Sequence, residues 1–349
     1  MSPLSLVTGA CGFMGTHMVE VLAEAGHRIR ATDLASSYDH DDLKTGRSPG
    51  VLKRLNVEFV PADITKRETL DKAMEGVEYI FHIAAIFSYS APWDLLYKVN
   101  VEGTRNILES AKLASSFKKI VLWSAGGFYR LPKGPQDLPI EEDSPIEPSN
   151  NYLKSKWEQE SLVRDFCRIN RMRFSGIRPT GVYGPRAVYA GGQMVRDVLK
   201  MKKLQIPKNF TFRIPTVHVR DVCRAALFLA EHPATDGEAY NLNDDSQTTT
   251  VEYLQMMSRL TGRPFKALPP VPISVAKFGL KVMAALGKWR KKLFGGKPPK
   301  FEKDSVNYFG VDFVYSNEKL KKTGFQFQYP DFEKGLKETL PWYMEHYGF

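Results

Sequence analysis

Two hydrophobic rhythms alternate along the chain. Short, almost continuously apolar runs at 5–8, 28–33, 57–63, 79–85, 119–124 and 174–178 predict buried strands. Between them, at 13–25, 66–75, 94–114 and 151–170, apolar residues return every three or four positions and predict helices. Strands that are apolar on both faces, each followed by a helix, predict an α/β fold: a doubly wound parallel sheet with helices on either side. After about residue 185 the rhythm loosens into short elements with proline joints at Pro264, Pro269, Pro270 and Pro272. We therefore expect a sheet domain over 1–180, with some later segments near 215–245 returning to it, and a smaller, mixed substrate lobe over 181–349.

The first strand runs into Thr8-Gly9-Ala10-Cys11-Gly12-Phe13-Met14-Gly15, a T-G-x-x-G-x-x-G loop opening the first predicted helix. Glycines there let the backbone turn tightly and approach a pyrophosphate that rests on helix N-terminal amides. Strand, glycine loop and helix in that order make a Rossmann-like dinucleotide site the expectation, contacted by Gly9, Cys11, Gly12, Phe13, Met14 and Gly15. Asp33 ends the second strand, where a carboxylate accepts hydrogen bonds from the adenosine ribose and repels a 2′-phosphate. Leu34, Ala35, Ser36 and Ser37 follow it with no arginine, which favours NAD over NADP, although Arg28 and Arg30 lie on the same strand. Asp63 and Ile64, ending the third strand, are expected at the adenine.

Tyr152-Leu153-Lys154-Ser155-Lys156 is a Y-x-x-x-K, which puts a phenol and an ammonium on one helix face. A nearby ammonium favours phenolate and would pull the tyrosine toward working pH, fitting it to exchange a proton with an alcohol or ketone as hydride moves. Ser124, at a strand end 28 residues before Tyr152, is the hydroxyl expected to hold the substrate oxygen.

With these motifs go Phe81-His82-Ile83-Ala84-Ala85, Asn100-Val101-Glu102-Gly103-Thr104, the run 177–186 (IRPTGVYGPR) and the run 217–222 (VHVRDV). The chain thereby resembles the extended short-chain dehydrogenase/reductases over nearly its whole length. The resemblance implies Ser124, Tyr152 and Lys156 as catalytic residues, with Asn100 close to the relay. It also implies Lys156 on the nicotinamide ribose, Ala84 and Pro179 along the cofactor cleft, and a homodimer formed through the helices near 94–114 and 151–170. The family's paired hydroxyls before the loop read here as Trp123-Ser124-Ala125, leaving the serine register open by one residue.

The Thr-Asp-Glu run of nucleotide-sugar dehydratases is absent. The segment 239–245 (AYNLNDD), the following TVEYL and the tail from Phe301 to Phe325 are similar to the 3β-hydroxysteroid dehydrogenase branch, including sterol-4α-carboxylate 3-dehydrogenases. That branch implies an NAD-dependent oxidoreductase interconverting a secondary alcohol and ketone on a hydrophobic, sterol-like substrate. Phe87, Tyr89, Trp93, Tyr189 and Met194 are pocket candidates. A nucleotide-sugar epimerase, with Arg186, Arg196 and Arg213 as phosphate clamps, is the alternative. A non-catalytic nucleotide sensor is the alternative of another class, against which the retained Ser124, Tyr152 and Lys156 weigh.

Composition adds three things. Of 349 residues, 43% are hydrophobic and 25% charged, which excludes a disordered or coiled-coil chain. Three scattered cysteines give neither a disulfide framework nor a metal cluster, and MSPLSLVTGA lacks a signal peptide's pattern, so a reduced, cytoplasmic protein without a metal is expected. The net charge of +10 is confined to 263–300, which holds ten basic residues and no acidic one. No nucleic-acid motif accompanies it. Within it, 273–294 reads as a basic amphipathic helix, too interrupted by lysine to span a bilayer, and expected to dock on an anionic membrane surface or to pack on the lobe.

Overall fold

The computed structural model describes residues 2–294 and 308–348, so the end of the basic segment and the start of the tail, 295–307, lie outside the described residues. The apolar runs become β1 (Leu4–Thr8), β2 (Arg28–Thr32), β3 (Glu58–Phe59), β4 (Tyr79–His82), β5 (Lys119–Trp123) and β6 (Phe174–Pro179). Short strands follow at β7 (Gly181–Tyr183), β8 (Leu204–Pro207), β9 (Thr216–His218), β10 (Ala239–Leu242) and β11 (Phe265–Leu268). Seven of these form one parallel sheet in the order β10-β6-β5-β4-β1-β2-β3. Every residue of β1, β5 and β6 is buried, because helices cover both faces. On one side lie the Phe13–Glu24 and Val219–Glu231 helices, whose Met18, Leu22, Val222 and Leu229 pack with Val7 and Val121. On the other, the Gly103–Leu113 and Asn151–Asn170 helices bring Ile107, Leu108 and Val163 against Leu6, Ile80 and Leu122. β10 enters this sheet from the C-terminal half by pairing with β6.

Three predicted elements are shorter than the pattern suggests. The strand expected over 57–63 is regular only at Glu58–Phe59, the sheet's outer edge, though the Val60 and Ala62 amides still donate to the Ala31 and Asp33 carbonyls. The helix expected over 66–75 shrinks to turns at Arg67–Thr69 and Asp71–Met74. The helix over 94–114 is interrupted by a wider, π-type turn at Tyr97–Glu102, which turns Asn100 inward. There its Oδ1 accepts the Ile86 amide at 2.8 Å, and its Nδ2 donates to the Ile86 carbonyl at 3.2 Å and to Ser155 Oγ at 2.9 Å.

The second lobe has its own core of Tyr183, Val195, Leu199, Tyr253, Phe332 and Tyr343. Two parallel strand pairs, β7–β9 and β8–β11, and the Ala190–Leu199, Thr250–Thr261 and Phe332–Tyr347 helices build it.

Candidate active site

A cavity of about 910 Å³ runs from the C-terminal ends of β1, β2 and β4, past β5, to the second lobe. This is the crevice at which open parallel sheets bind ligands. At its floor the glycine loop is held without room for side chains. Gly9 has φ +65°, and a Cβ on it would lie 2.9 Å from Ala84 Cα; one on Gly15 would lie 2.1 Å from the Gly9 carbonyl oxygen. Loop, helix and β4 are thus in backbone contact, and the Phe13–Glu24 N-terminus opens on the cavity beside Gly9, Gly12, Met14 and Ala84. This cradle and the carboxylate beside it fit a dinucleotide.

That carboxylate is Asp33, which accepts the Cys11 amide at 3.1 Å and the Leu34 amide at 2.8 Å. Burial raises its pKa, and the Leu34 and Cys11 amides work against that rise. Asp63, Ile64 and Pro179 also line the cavity. Cys11 does not: its thiol is buried, with its pKa pushed up to about 12, and it serves through the amide that fixes Asp33. Asn100 likewise stands behind the wall, anchoring the Ile86 backbone that forms it.

Arg28 and Arg30 do not approach Asp33. Arg28 Nε donates to the Ser2 carbonyl, and Arg30 pairs with Glu58 at 3.0 Å. The cation there is Arg47, unforeseen in the sequence. Residues 42 and 47 bridge as a small antiparallel turn, and the Ser48 amide donates to the Cys11 carbonyl at 2.9 Å. Arg47 is thereby set in the cavity wall with Asp33 and Ser37, and its charge acts on Asp33.

Tyr152, Lys156 and Glu160 follow one another at i, i+4 and i+8 on the Asn151–Asn170 helix, which Asn150 caps by accepting the Leu153 amide. The phenol faces the cavity between Phe87, at a ring distance of 4.8 Å, and Tyr89, at 5.8 Å. The expected pull of the ammonium on it is not present in this arrangement. Lys156 Nζ instead donates to the Trp123 carbonyl and to Gln159 Oε1, each at 2.5 Å. Burial, with the Tyr89 hydroxyl adding to it, holds the Tyr152 phenol well above its usual pKa. Burial also brings Lys156 down to about 7, the Glu160 charge opposing the fall.

Behind Lys156 runs a buried polar row that the sequence reading missed. Gln159 Nε2 donates to Thr104 Oγ1 at 2.7 Å, and Thr104 Oγ1 donates to the Asn100 carbonyl at 2.6 Å. His82 Nε2 lies 2.8 Å from Thr104 Oγ1, and His82 Nδ1 lies 2.9 Å from Thr8 Oγ1. Since Thr104 gives its single proton to Asn100, His82 must donate from Nε2 and accept at Nδ1. Burial lowers the His82 pKa to about 3, so it stays neutral. The sequence signal was available: Gln159 stands three residues after Lys156.

Ser124 ends β5 and contributes to the wall, but its hydroxyl oxygen is enclosed and makes no hydrogen bond of good geometry. It lies beside Glu160 and helps lower that carboxyl's pKa. Burial alone would raise Glu160, but the Arg178 guanidinium, 2.5 Å away, overrides it. Reaching a substrate oxygen therefore requires the Ser124 side chain to rotate.

Past Tyr152 the cavity is walled by Ile86, Phe87, Met194, Phe212, Val311 and Phe313. Of the five pocket candidates, Phe87, Tyr89, Tyr189 and Met194 line it; Trp93 instead packs on Tyr97 with Lys154 over its ring. The three arginines considered as phosphate clamps all have partners. Arg186 pairs with Glu20 at 2.5 Å, Arg196 donates to Gln193 and Tyr347, and Arg213 grips Asp312 with three nitrogens.

Comparison with known proteins agrees with this arrangement. The family model "NAD dependent epimerase/dehydratase family" matches residues 5–243. The chain is 27% identical over 327 residues to mouse sterol-4-alpha-carboxylate 3-dehydrogenase, decarboxylating, covering 90% of this chain and 84% of that protein. It is 31% identical over 274 residues to UDP-glucose 4-epimerase of Mycolicibacterium smegmatis, covering 74% and 83%. Among solved structures, UDP-glucose 4-epimerase of Thermotoga maritima with UDP-glucose shares the fold, with a TM-score of 0.74 at 23% identity over 98% of this chain and 99% of that one. The chain belongs to the NAD dependent epimerase/dehydratase family, the extended short-chain dehydrogenase/reductases.

Proposed function

We propose that the protein is an NAD(P)-linked oxidoreductase that interconverts a secondary alcohol and a ketone on a hydrophobic, sterol-like substrate. The carrying observation is the apolar wall beyond Tyr152, with Arg213, the one arginine of the three that lines it, neutralised by Asp312. Apolar walls with few polar groups suit a large apolar ligand fixed at one oxygen. The similarity to sterol-4-alpha-carboxylate 3-dehydrogenase points the same way.

The glycine loop would hold the pyrophosphate, Asp33 the adenosine ribose, and Lys156 the other ribose. A bound dinucleotide supplies the hydride acceptor or donor. Tyr152 exchanges the proton. Its raised pKa keeps the phenol protonated at neutral pH, the form that delivers a proton to a ketone oxygen. Taking a proton from an alcohol needs positive charge near the phenol, which Lys156, with a pKa of about 7, would supply when protonated and turned from the Trp123 carbonyl and Gln159. Phe87 and Tyr89 flank the Tyr152 ring and give its surroundings an aromatic character. Ser124, once rotated from Glu160, would orient the oxygen.

Similarity to UDP-glucose 4-epimerase supports a second reading, epimerisation of a nucleotide sugar by the same residues. One experiment separates them: hydroxysterols (4α-carboxylates included), aliphatic secondary alcohols and UDP-sugars are each incubated with NAD. Net NADH from sterols, lost in Tyr152→Phe, is the expected result. A C4 epimer formed from a UDP-sugar with no net NADH would overturn the proposal.

A further inference from the structure

We propose that the outward face of the Ile273–Phe294 helix docks the protein on an anionic membrane surface. Ile273 and Ala276 pack into the second lobe's core, and Gly310 sits directly against Ile273. At 100° per residue, Val275, Phe278, Val282 and Leu286 fall on the far side of the helix. They are 58%, 70%, 40% and 58% exposed. One side of the helix thus packs on the lobe, and these apolar residues are turned away from it.

The flank of this face is cationic. Lys281 lies on one edge and Lys277 nearer the lobe, with its stem beside Gly310, and neither makes an ion pair among the described residues. The surrounding sequence, 263–300, carries all of the chain's excess charge, ten basic residues without an acidic one. An apolar stripe edged by lysines suits a helix lying in the interface, with lysine stems along the apolar surface and ammoniums at lipid phosphates. Charge also decides the occupant. A second copy of this face would bring like charges together, whereas an anionic bilayer complements them. No helix among the described residues is long and apolar enough to cross a membrane, so the helix would lie on the surface.

The placement has a use. Phe309 packs on Phe212 at 5.2 Å in the same core as Ile273 and Ala276, and Phe212 and Val311 line the cavity. The helix that carries the docking face thus shares a core with the wall of the apolar cavity, which would bring the cavity close to a membrane that holds a lipid-soluble substrate. The docking itself does not rest on the oxidoreductase reading, and its test needs no turnover.

The full chain is sedimented with phosphatidylcholine vesicles with and without phosphatidylglycerol. Wild type is expected to pellet with the anionic vesicles alone. Lys277→Glu with Lys281→Glu should weaken partitioning at least about twentyfold, from about fivefold per lysine. Phe278→Asp with Leu286→Asp should abolish it, with circular dichroism showing a folded chain. Three results overturn the proposal: wild type stays in solution, or the aspartate pair pellets like wild type, or velocity sedimentation shows that the face closes a dimer which the aspartates split without any vesicle binding.

Discussion

Lys156→Met offers a direct measure of how the site poises its lysine. The ammonium is 3% exposed, and its pKa is lowered by burial from 10.5 to about 7. Between those two values the unfolded chain holds a proton that the folded chain has released. A base whose folded pKa is depressed makes stability rise with pH across that window, by up to about 1.4 kcal/mol per pH unit. From about pH 7 to about pH 9.5, allowing for half-titration at the lower end, wild type gains about 3 kcal/mol from this group. Methionine has no such term. The lost contacts and the stranded Trp123 and Gln159 oxygens shift the variant by a constant, which cancels when the wild-type-minus-variant difference is followed with pH. Urea unfolding read by circular dichroism at about pH 7, 8 and 9.5, without dinucleotide, supplies that difference. It should rise by about 3 kcal/mol in favour of wild type. A difference that stays flat within about 1 kcal/mol would mean that Lys156 keeps an ordinary lysine pKa, and the account of it as a neutral-range charge switch would fail.

Gln159→Leu removes one of the two acceptors on the Lys156 ammonium, a bond to charge worth about 1.5–3 kcal/mol. The limb of the kcat/KM profile that tracks Lys156 should move about 1–2 units to lower pH, and Gln159→Glu should move it upward; no movement in either variant removes Gln159 from the machinery. At the adenosine end, Asp33→Ala should raise the ratio of kcat/KM with NADP to that with NAD by at least about tenfold, and Arg47→Ala should lower it. Unchanged ratios would place both residues outside cofactor choice. Family resemblance implies a homodimer through the helices near 94–114 and 151–170, where Leu113 and Ile169 stand 75% and 73% exposed. Analytical ultracentrifugation should show a wild-type dimer that Leu113→Glu with Ile169→Glu makes monomeric.

The central sheet was legible because β1, β4, β5 and β6 are buried on both faces, so their residue choice records little but burial. β3 was overread in part, since regular pairing at this sheet edge ends at Phe59, although the Val60 and Ala62 amides still donate to the Ala31 and Asp33 carbonyls. The π-type turn at Tyr97–Glu102 leaves the helical apolar rhythm nearly intact and was invisible for that reason. At the site, the glycine loop and Tyr152-x-x-x-Lys156 could be read from spacing because their partners are close in sequence. Arg47 could not, because a bridged turn rather than a motif sets it in the same cavity wall as Asp33. Nor could the direction of the Tyr152 shift: spacing put the ammonium on the same face, but its partners are set by where Gln159 and the end of β5 lie.

The choice between an apolar substrate and a nucleotide sugar comes down to whether a guanidinium is available to phosphate. Of the three candidate clamps only Arg213 lies in the cavity wall, and its Nε lies 2.9 and 3.0 Å from the two oxygens of Asp312. A diphosphate would have to displace that carboxylate and then neutralise a cation that Asp312 already neutralises, so the exchange gains little. UDP should therefore bind weakly, with a Kd above about 1 mM by isothermal titration calorimetry with NAD present, corresponding to less than about 4 kcal/mol. Asp312→Asn frees Arg213 and should tighten UDP binding at least about tenfold while weakening nothing at the nicotinamide end. Micromolar UDP binding by wild type, or no change in the variant, would show that phosphate is held elsewhere, and the substrate assignment would pass to the epimerase reading.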